Sequence, residues 1–158
     1  MSLNHLEQTK LQMAAEPWSM TLADVTSALS SVPLFSGFGQ KQVRLVAESG
    51  REYKYKVGTT IVEDGSVGVG FYMVLNGRVE VRKGPRVLAS LSKGQYFGEM
   101  SLIDGEPRSA DVLAVQPTEC FTLSTQTFYA LVKRHPELAL LMLKELAKRL
   151  RAAQSSDQ

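Results

Sequence analysis

The sequence predicts an α+β fold, an antiparallel β-roll of the double-stranded, jelly-roll-like kind flanked by N-terminal helices and by two C-terminal helices. Three observations predict it. Apolar residues recur at helical spacing up to about residue 48, at strand period through the middle of the chain, and at helical spacing again from Phe128. Glycines punctuate the middle section, as expected for short antiparallel strands that turn often to close a barrel or roll. At 158 residues the chain suits one domain with a sizeable core, because chains of this length bury roughly 70% of their unfolded surface.

Residues 1–20 mix polar and apolar side chains around the punctuation Glu16-Pro17-Trp18 and read as an arm, a short helix or a disordered stretch. The domain proper is read over 21–158. Leu22, Val25 and Leu29, then Val43, Val46 and Ala47, mark two short amphipathic helices within 21–48, separated by Pro33, Gly37 and Gly39. The period then changes. Tyr53, Tyr55 and Val57 alternate with Lys54 and Lys56, opening a roll over 49–125 that continues in Thr60 to Val62, Phe71 to Leu75 and Val79 to Val81. Asn76-Gly77 between two of these runs predicts a two-residue hairpin with both turn residues at positive φ. Lys83-Gly84-Pro85 marks another turn before Val87 to Leu91, and Val112 to Val115 and Cys120 to Leu123 flank Gln116-Pro117 as the last strands. Phe128, Leu131 and Val132 begin C-terminal helices over 126–153. His135-Pro136 interrupts them, with Pro136 placed for the first turn of a second helix carrying Leu138, Leu141, Met142, Leu146 and Leu150.

Composition excludes several classes of function. A formal net charge of +2 gives no bulk electrostatic warrant for nucleic-acid binding, which a clustered basic face would provide. No run approaches the roughly 18–20 apolar residues that cross a bilayer, and the opening stretch has Glu7 and Lys10 but no signal-peptide core, so a cytoplasmic protein is expected. The single Cys120 sits beside Phe121 in a strand and reads as a buried structural thiol. His5 and His135 both fall outside the strands, which argues against a metal site of the cupin type. No nucleophile and base share a motif, so no catalytic residues and no cofactor are assigned.

The chemistry concentrates in 97–112. Gly98 and Glu99 precede a short helix, and a helix starting there aims the N–H groups of Met100 and Ser101 outward, where the positive end of its dipole favours an anion. Arg108 supplies a permanent charge and a donor fork for two phosphate oxygens. Glu99 would repel a phosphate but can accept hydrogen bonds from a hydroxyl such as that of a ribose. A sugar phosphate fits both. Asp104 and Glu106 read as solvated turn residues, since a phosphate site gains nothing from acids nearby.

The combination of Phe97-Gly98-Glu99, the small Ser101, the pair Pro107-Arg108 and the small pair Ser109-Ala110 before a strand resembles the phosphate-binding cassette of the cyclic nucleotide-binding domain family. The resemblance extends from about Leu34-Phe35 to Ala153. It implies that Glu99 binds the ribose 2′-hydroxyl, that Arg108 pairs with the cyclic phosphate, and that the N–H groups of Ser101 and Ser109 complete the cradle. It also implies a use for Leu146, Arg149 and Leu150 as a lid over the base, a role that competes with helix pairing between two subunits. A threonine at the Ser109 position accompanies cGMP preference in the family, and Arg108-Ser109-Ala110 is more similar to the cAMP-responsive bacterial activators. The expected function is a non-enzymatic sensor for cAMP, or alternatively cGMP, that signals through its C-terminal helices to a downstream protein. Two alternatives are a sensor fragment of a larger channel, kinase or transcription factor, and an interaction module with a degenerate site. Catabolite activator-type factors continue into a helix-turn-helix domain where this chain stops at Gln158, so no direct nucleic-acid contact is expected of it.

Overall fold

The structure is a computed structural model that describes residues 20–67 and 69–156; the expected N-terminal arm lies outside the described residues. Helix α1 (Leu22–Ser30) starts at Thr21, whose Oγ1 accepts a hydrogen bond from the Asp24 N–H at 3.1 Å and so satisfies one of the first-turn donors. A 3₁₀ turn (Pro33–Phe35) leads to α2 (Gln40–Ser49). The roll comprises β1 (Arg51–Tyr55), β2 (Thr60–Val62), β3 (Phe71–Asn76), β4 (Arg78–Lys83), β5 (Arg86–Ser92), β6 (Tyr96–Phe97), β7 (Asp111–Ala114) and β8 (Thr118–Leu123). A single-turn helix α3 (Ser101–Asp104) interrupts it between β6 and β7, and α4 (Thr125–Arg134) and α5 (Glu137–Ser156) close the chain. Val57, read as part of the first strand, lies beyond it and is exposed.

Two antiparallel four-stranded sheets form the roll, in the orders β1-β8-β3-β6 and β2-β7-β4-β5. The first sheet is covered twice. Phe71, Met73, Leu75, Phe121 and Leu123 pack with residues of α1, α2, α4 and α5, whereas the alternate residues Tyr72, Val74 and Cys120 pack with Ile61, Val62, Val79, Val112 and Ala114 of the second sheet. The molecule is therefore helices on sheet on sheet, and a strand buried on both faces explains why Phe71 to Leu75 is apolar without interruption. The outer face of the second sheet meets solvent. Its edge strand β5 is exposed from Arg86 to Ser90.

The predicted hairpin at Asn76-Gly77 is not formed. Asn76 pairs with Glu119 of β8 in the first sheet, while Arg78 pairs with Ser92 of β5 in the second, so the chain changes sheets there. Only Gly77 has positive φ (96°), and a Cβ on it would collide with the Pro117 carbonyl. The reason is burial demand: β3 needs apolar cover on both faces, whereas β4 alternates Val79 with more exposed Arg78 and Glu80 and suits the half-solvated sheet. The hairpin lies one strand later, where Lys83 pairs with Arg86 across Gly84-Pro85.

Candidate functional site

The site is built where the first sheet runs out. Phe97 ends β6, and its ring stacks on Tyr72 of the neighbouring strand at 4.9 Å with the planes 5° apart. The chain then turns at Gly98, whose φ of 83° is costly for any L side chain. A Cβ there would strike the Arg108 guanidinium and the Gly70 carbonyl, so glycine is needed for space as well as for conformation. Glu99 and Met100 follow. The helix expected near Gly98 begins at Ser101 and lasts one turn, with Gly105 as its left-handed cap. Leu102 anchors it in the helical-side core, and Met100 points into solvent.

Arg108 is held at its backbone by the turn after β2: its carbonyl accepts from the Gly65 N–H at 2.7 Å, and its N–H donates to the Ser66 carbonyl at 2.8 Å. Its guanidinium lies over the Phe97 ring, 5.7 Å from the centroid, and Nη2 donates to the Gly70 carbonyl. Burial pulls its pKa below the usual guanidinium value, and the nearby Tyr72 opposes that shift; the group stays charged. Burial raises the Tyr72 hydroxyl well above its ordinary value, so it is a neutral neighbour. Ser109 is exposed and Ala110 half-buried, and Lys83 Nζ donates to the Ser109 carbonyl at 2.9 Å and to Asp64 Oδ2 at 2.7 Å. The Asp64 N–H in turn donates to Asp111 Oδ1 at 2.7 Å. Gly70, Lys83, Asp64 and Asp111 thus shape the loop, and sequence reasoning missed the first three because each reaches it from a separate part of the chain. Lys83 had registered only as part of a turn.

Glu99 faces the last helix. Its Oε1 lies 3.9 Å from Arg149 Nη1, and Arg149 Nε donates to Glu145 Oε1, one turn back, at 3.4 Å. Of the three residues suggested as a lid, Arg149 alone contacts the pocket carboxylate: Leu146 packs against the helical-side core and Leu150 is 60% exposed. Of the apolar row read along this helix, Leu138, Met142 and Leu146 form an inner line at the core, Leu141 is half-buried and Leu150 is exposed; Leu140 and Leu143, outside that row, are exposed as well and make an outer line with Leu150. Tyr96 sits beside the pair, its hydroxyl shifted upward by burial and then by Glu99.

Four side-chain atoms among the described residues are buried with no hydrogen-bond partner, and three of them belong to this place: Glu99 Oε2, Arg108 Nε and Arg149 Nη2. Buried polar atoms are almost always satisfied, so a carboxylate oxygen and two guanidinium nitrogens left open in one region are suited to a polar guest with hydroxyl and anionic groups. The helical turn between Glu99 and Arg108 is fixed by α4, where Thr125 Oγ1 donates to the Ser101 carbonyl at 3.1 Å and the Tyr129 hydroxyl to the Ile103 carbonyl at 2.7 Å, tying α3 to α4. No three His, Cys, Asp or Glu side chains among the described residues gather as metal ligands.

Residues 52–135, which include Glu99 and Arg108, match the family model of the cyclic nucleotide-binding domain. The chain belongs to that family. Among relatives, this cyclic nucleotide-binding domain is 36% identical over 126 residues to the cyclic AMP receptor protein of Thermus thermophilus, covering 77% of this chain and 58% of that protein. It is 33% identical over 108 residues to a cGMP-dependent protein kinase of Plasmodium berghei, covering 68% of this chain and 13% of the kinase. The chain therefore spans little more than half of the first relative and a small part of the second. Among solved structures, the N-terminal domain of a transcriptional regulator from Streptomyces coelicolor A3(2) superposes with a TM-score of 0.74 at 28% identity, covering 81% of this chain and 95% of that one. No helix among the described residues is long and apolar enough to cross a membrane.

Proposed function

We propose that the protein is a non-enzymatic, cytosolic cyclic nucleotide sensor that prefers cAMP and reports occupancy through α4 and α5. The observation that carries the reading is the open valence of Glu99 Oε2 and Arg108 Nε, with the Arg108 guanidinium beside Phe97 and Gly98 just before Glu99, in a family domain. Glu99 takes the ribose 2′-hydroxyl. Arg108 takes the cyclic phosphate together with the N–H groups of Ser101 and Ser109, while Phe97, Gly98, Met100 and Ala110 shape the cradle. A ligand shifts a two-state element only by its difference in affinity for the two states. Two links carry that difference here: Tyr129 and Thr125 join the cradle to α4, and Arg149 joins Glu99 to α5. A guest that engages Glu99 competes with Arg149, which has Glu145 as its alternative partner and can turn, with Leu146 and Leu150, toward the base.

The cAMP preference rests on serine rather than threonine at 109 and on the similarity to a cyclic AMP receptor protein. The output partner is a protein, and α5 also supports pairing with a second copy. Leu140, Leu143 and Leu150, each more than half exposed, follow heptad spacing along its outer face. Sedimentation of wild type against Leu143→Glu tests the pairing, which is refuted if wild type is monomeric at high concentration.

Calorimetric titration with cAMP and cGMP, with 5′-AMP as the control for a simple anion, tests the sensor reading. Saturable binding of the cyclic nucleotides with 5′-AMP much weaker is expected. The absence of heat for all three would reject the proposal. Ser109→Thr should move the cAMP/cGMP ratio toward cGMP by about 2- to 12-fold, the worth of one partly solvated hydrogen bond.

A further inference from the structure

Arg149 stands between two carboxylates that belong to different parts of the molecule. Along α5 its Nε donates to Glu145 Oε1 at 3.4 Å, and toward the cradle its Nη1 lies 3.9 Å from Glu99 Oε1. Glu99 Oε2 and Arg149 Nη2 are both buried without a hydrogen-bond partner, so the two groups do not saturate each other. A guanidinium and a carboxylate free to meet would form two parallel hydrogen bonds. The shorter contact to Glu145 holds them short of that. We infer that Glu145 is a positioning residue, one that draws Arg149 back from Glu99 and so keeps the Glu99 carboxylate open to a nucleotide hydroxyl; this deepens, and rests on, the sensor reading of the cradle.

A glutamate four residues before an arginine is a common neighbour on exposed helix faces, where the pair does little. Two features set this one apart. The Glu145 side chain is only 14% exposed, and a second element fixes it. Helix α5 packs against the 3₁₀ turn, where the Cβ position of Gly37 lies 3.5 Å from the Leu141 carbonyl, one turn before Glu145. Ser36, at the end of that turn, brings its hydroxyl to the Glu145 carboxylate. That contact does most to hold the carboxyl below its usual range, and Arg149 adds to it. Glu145 is thus anchored on the N-terminal side of the molecule, while the arginine it holds reaches the cradle.

Glu145→Gln keeps the shape of the side chain and removes the charge that competes for Arg149. Arg149 then closes on Glu99, cAMP must displace a tighter pair, and its Kd should rise about 2- to 5-fold, the range of one partly screened ion pair. The 2′-deoxy nucleotide makes no demand on Glu99, so its Kd should stay put, whereas a general loosening of α5 would weaken both ligands. In an Arg149→Gln background, Glu145→Gln should leave the cAMP Kd unmoved. Calorimetry of the four proteins with both nucleotides, beside circular dichroism, reads all of this. Equal losses for the two nucleotides, an unchanged or lower cAMP Kd in Glu145→Gln, or the same loss without Arg149 overturns the inference. Any of these with a wild type that binds cAMP rejects the inference alone; a wild type that binds neither nucleotide rejects the sensor reading and the inference with it.

Discussion

Arg108 illustrates how one residue serves two ends, since its Nη2 holds the Gly70 carbonyl while Nε stays open. Arg108→Ala should weaken cyclic nucleotide binding by about 2–5 kcal/mol, because a phosphate is left without its charged partner. Calorimetry beside circular dichroism checks it: affinity should collapse with the spectrum nearly intact, and unchanged affinity removes Arg108 from the site. Glu99→Gln should cost less, roughly 1–3 kcal/mol, since the amide still accepts a hydrogen bond but without charge assistance. Comparison with a 2′-deoxy nucleotide isolates its role; wild type should lose affinity for the deoxy ligand and the variant much less, whereas equal losses would place Glu99 elsewhere. At this scale the sequence was informative, because Phe97, Gly98, Glu99 and Arg108 carry their chemistry in residue type and spacing, and the structure does bring them together. Lys83 and Asp64 carry none until folding places them under Ser109.

Among the elements, the instructive case is the pair of turns flanking β4. Asn76-Gly77 and Gly84-Pro85 both separate apolar runs, but local turn chemistry does not record which sheet each strand will join. Burial on both faces of β3 decides it, and that is a property of the assembled layers. The two glycines should differ accordingly. Gly84 has φ 58° with open space around its Cβ position, so Gly84→Ala should cost only about 1–2 kcal/mol of left-handed strain. Gly77→Ala adds a collision with the Pro117 backbone and should cost more, on the order of 3 kcal/mol. Urea denaturation of both variants checks the order, and equal losses would show that the crossover yields without strain. The helices were legible because their apolar spacing faces a single core. The exception is α5, whose two apolar lines overlap in sequence and separate only when one of them meets the core.

For the molecule as a whole, the layering gives the lone thiol an unusual position. Cys120 lies on β8 between β1 and β3, fully buried in the layer between the sheets, and burial raises its pKa far above the ordinary thiol range. A native-state reagent can reach it only when the roll opens, so its alkylation is limited by the population of opened molecules. Any ligand that binds only the closed form lowers that population by the factor 1 + [L]/Kd, so nucleotide at about 100 times its Kd should slow modification about 100-fold. Rapid alkylation without ligand would show that the two sheets part locally. Slow alkylation that cAMP slows further would turn one buried sulfur into a binding assay, which needs no label and reads affinity and global stability from the same time course.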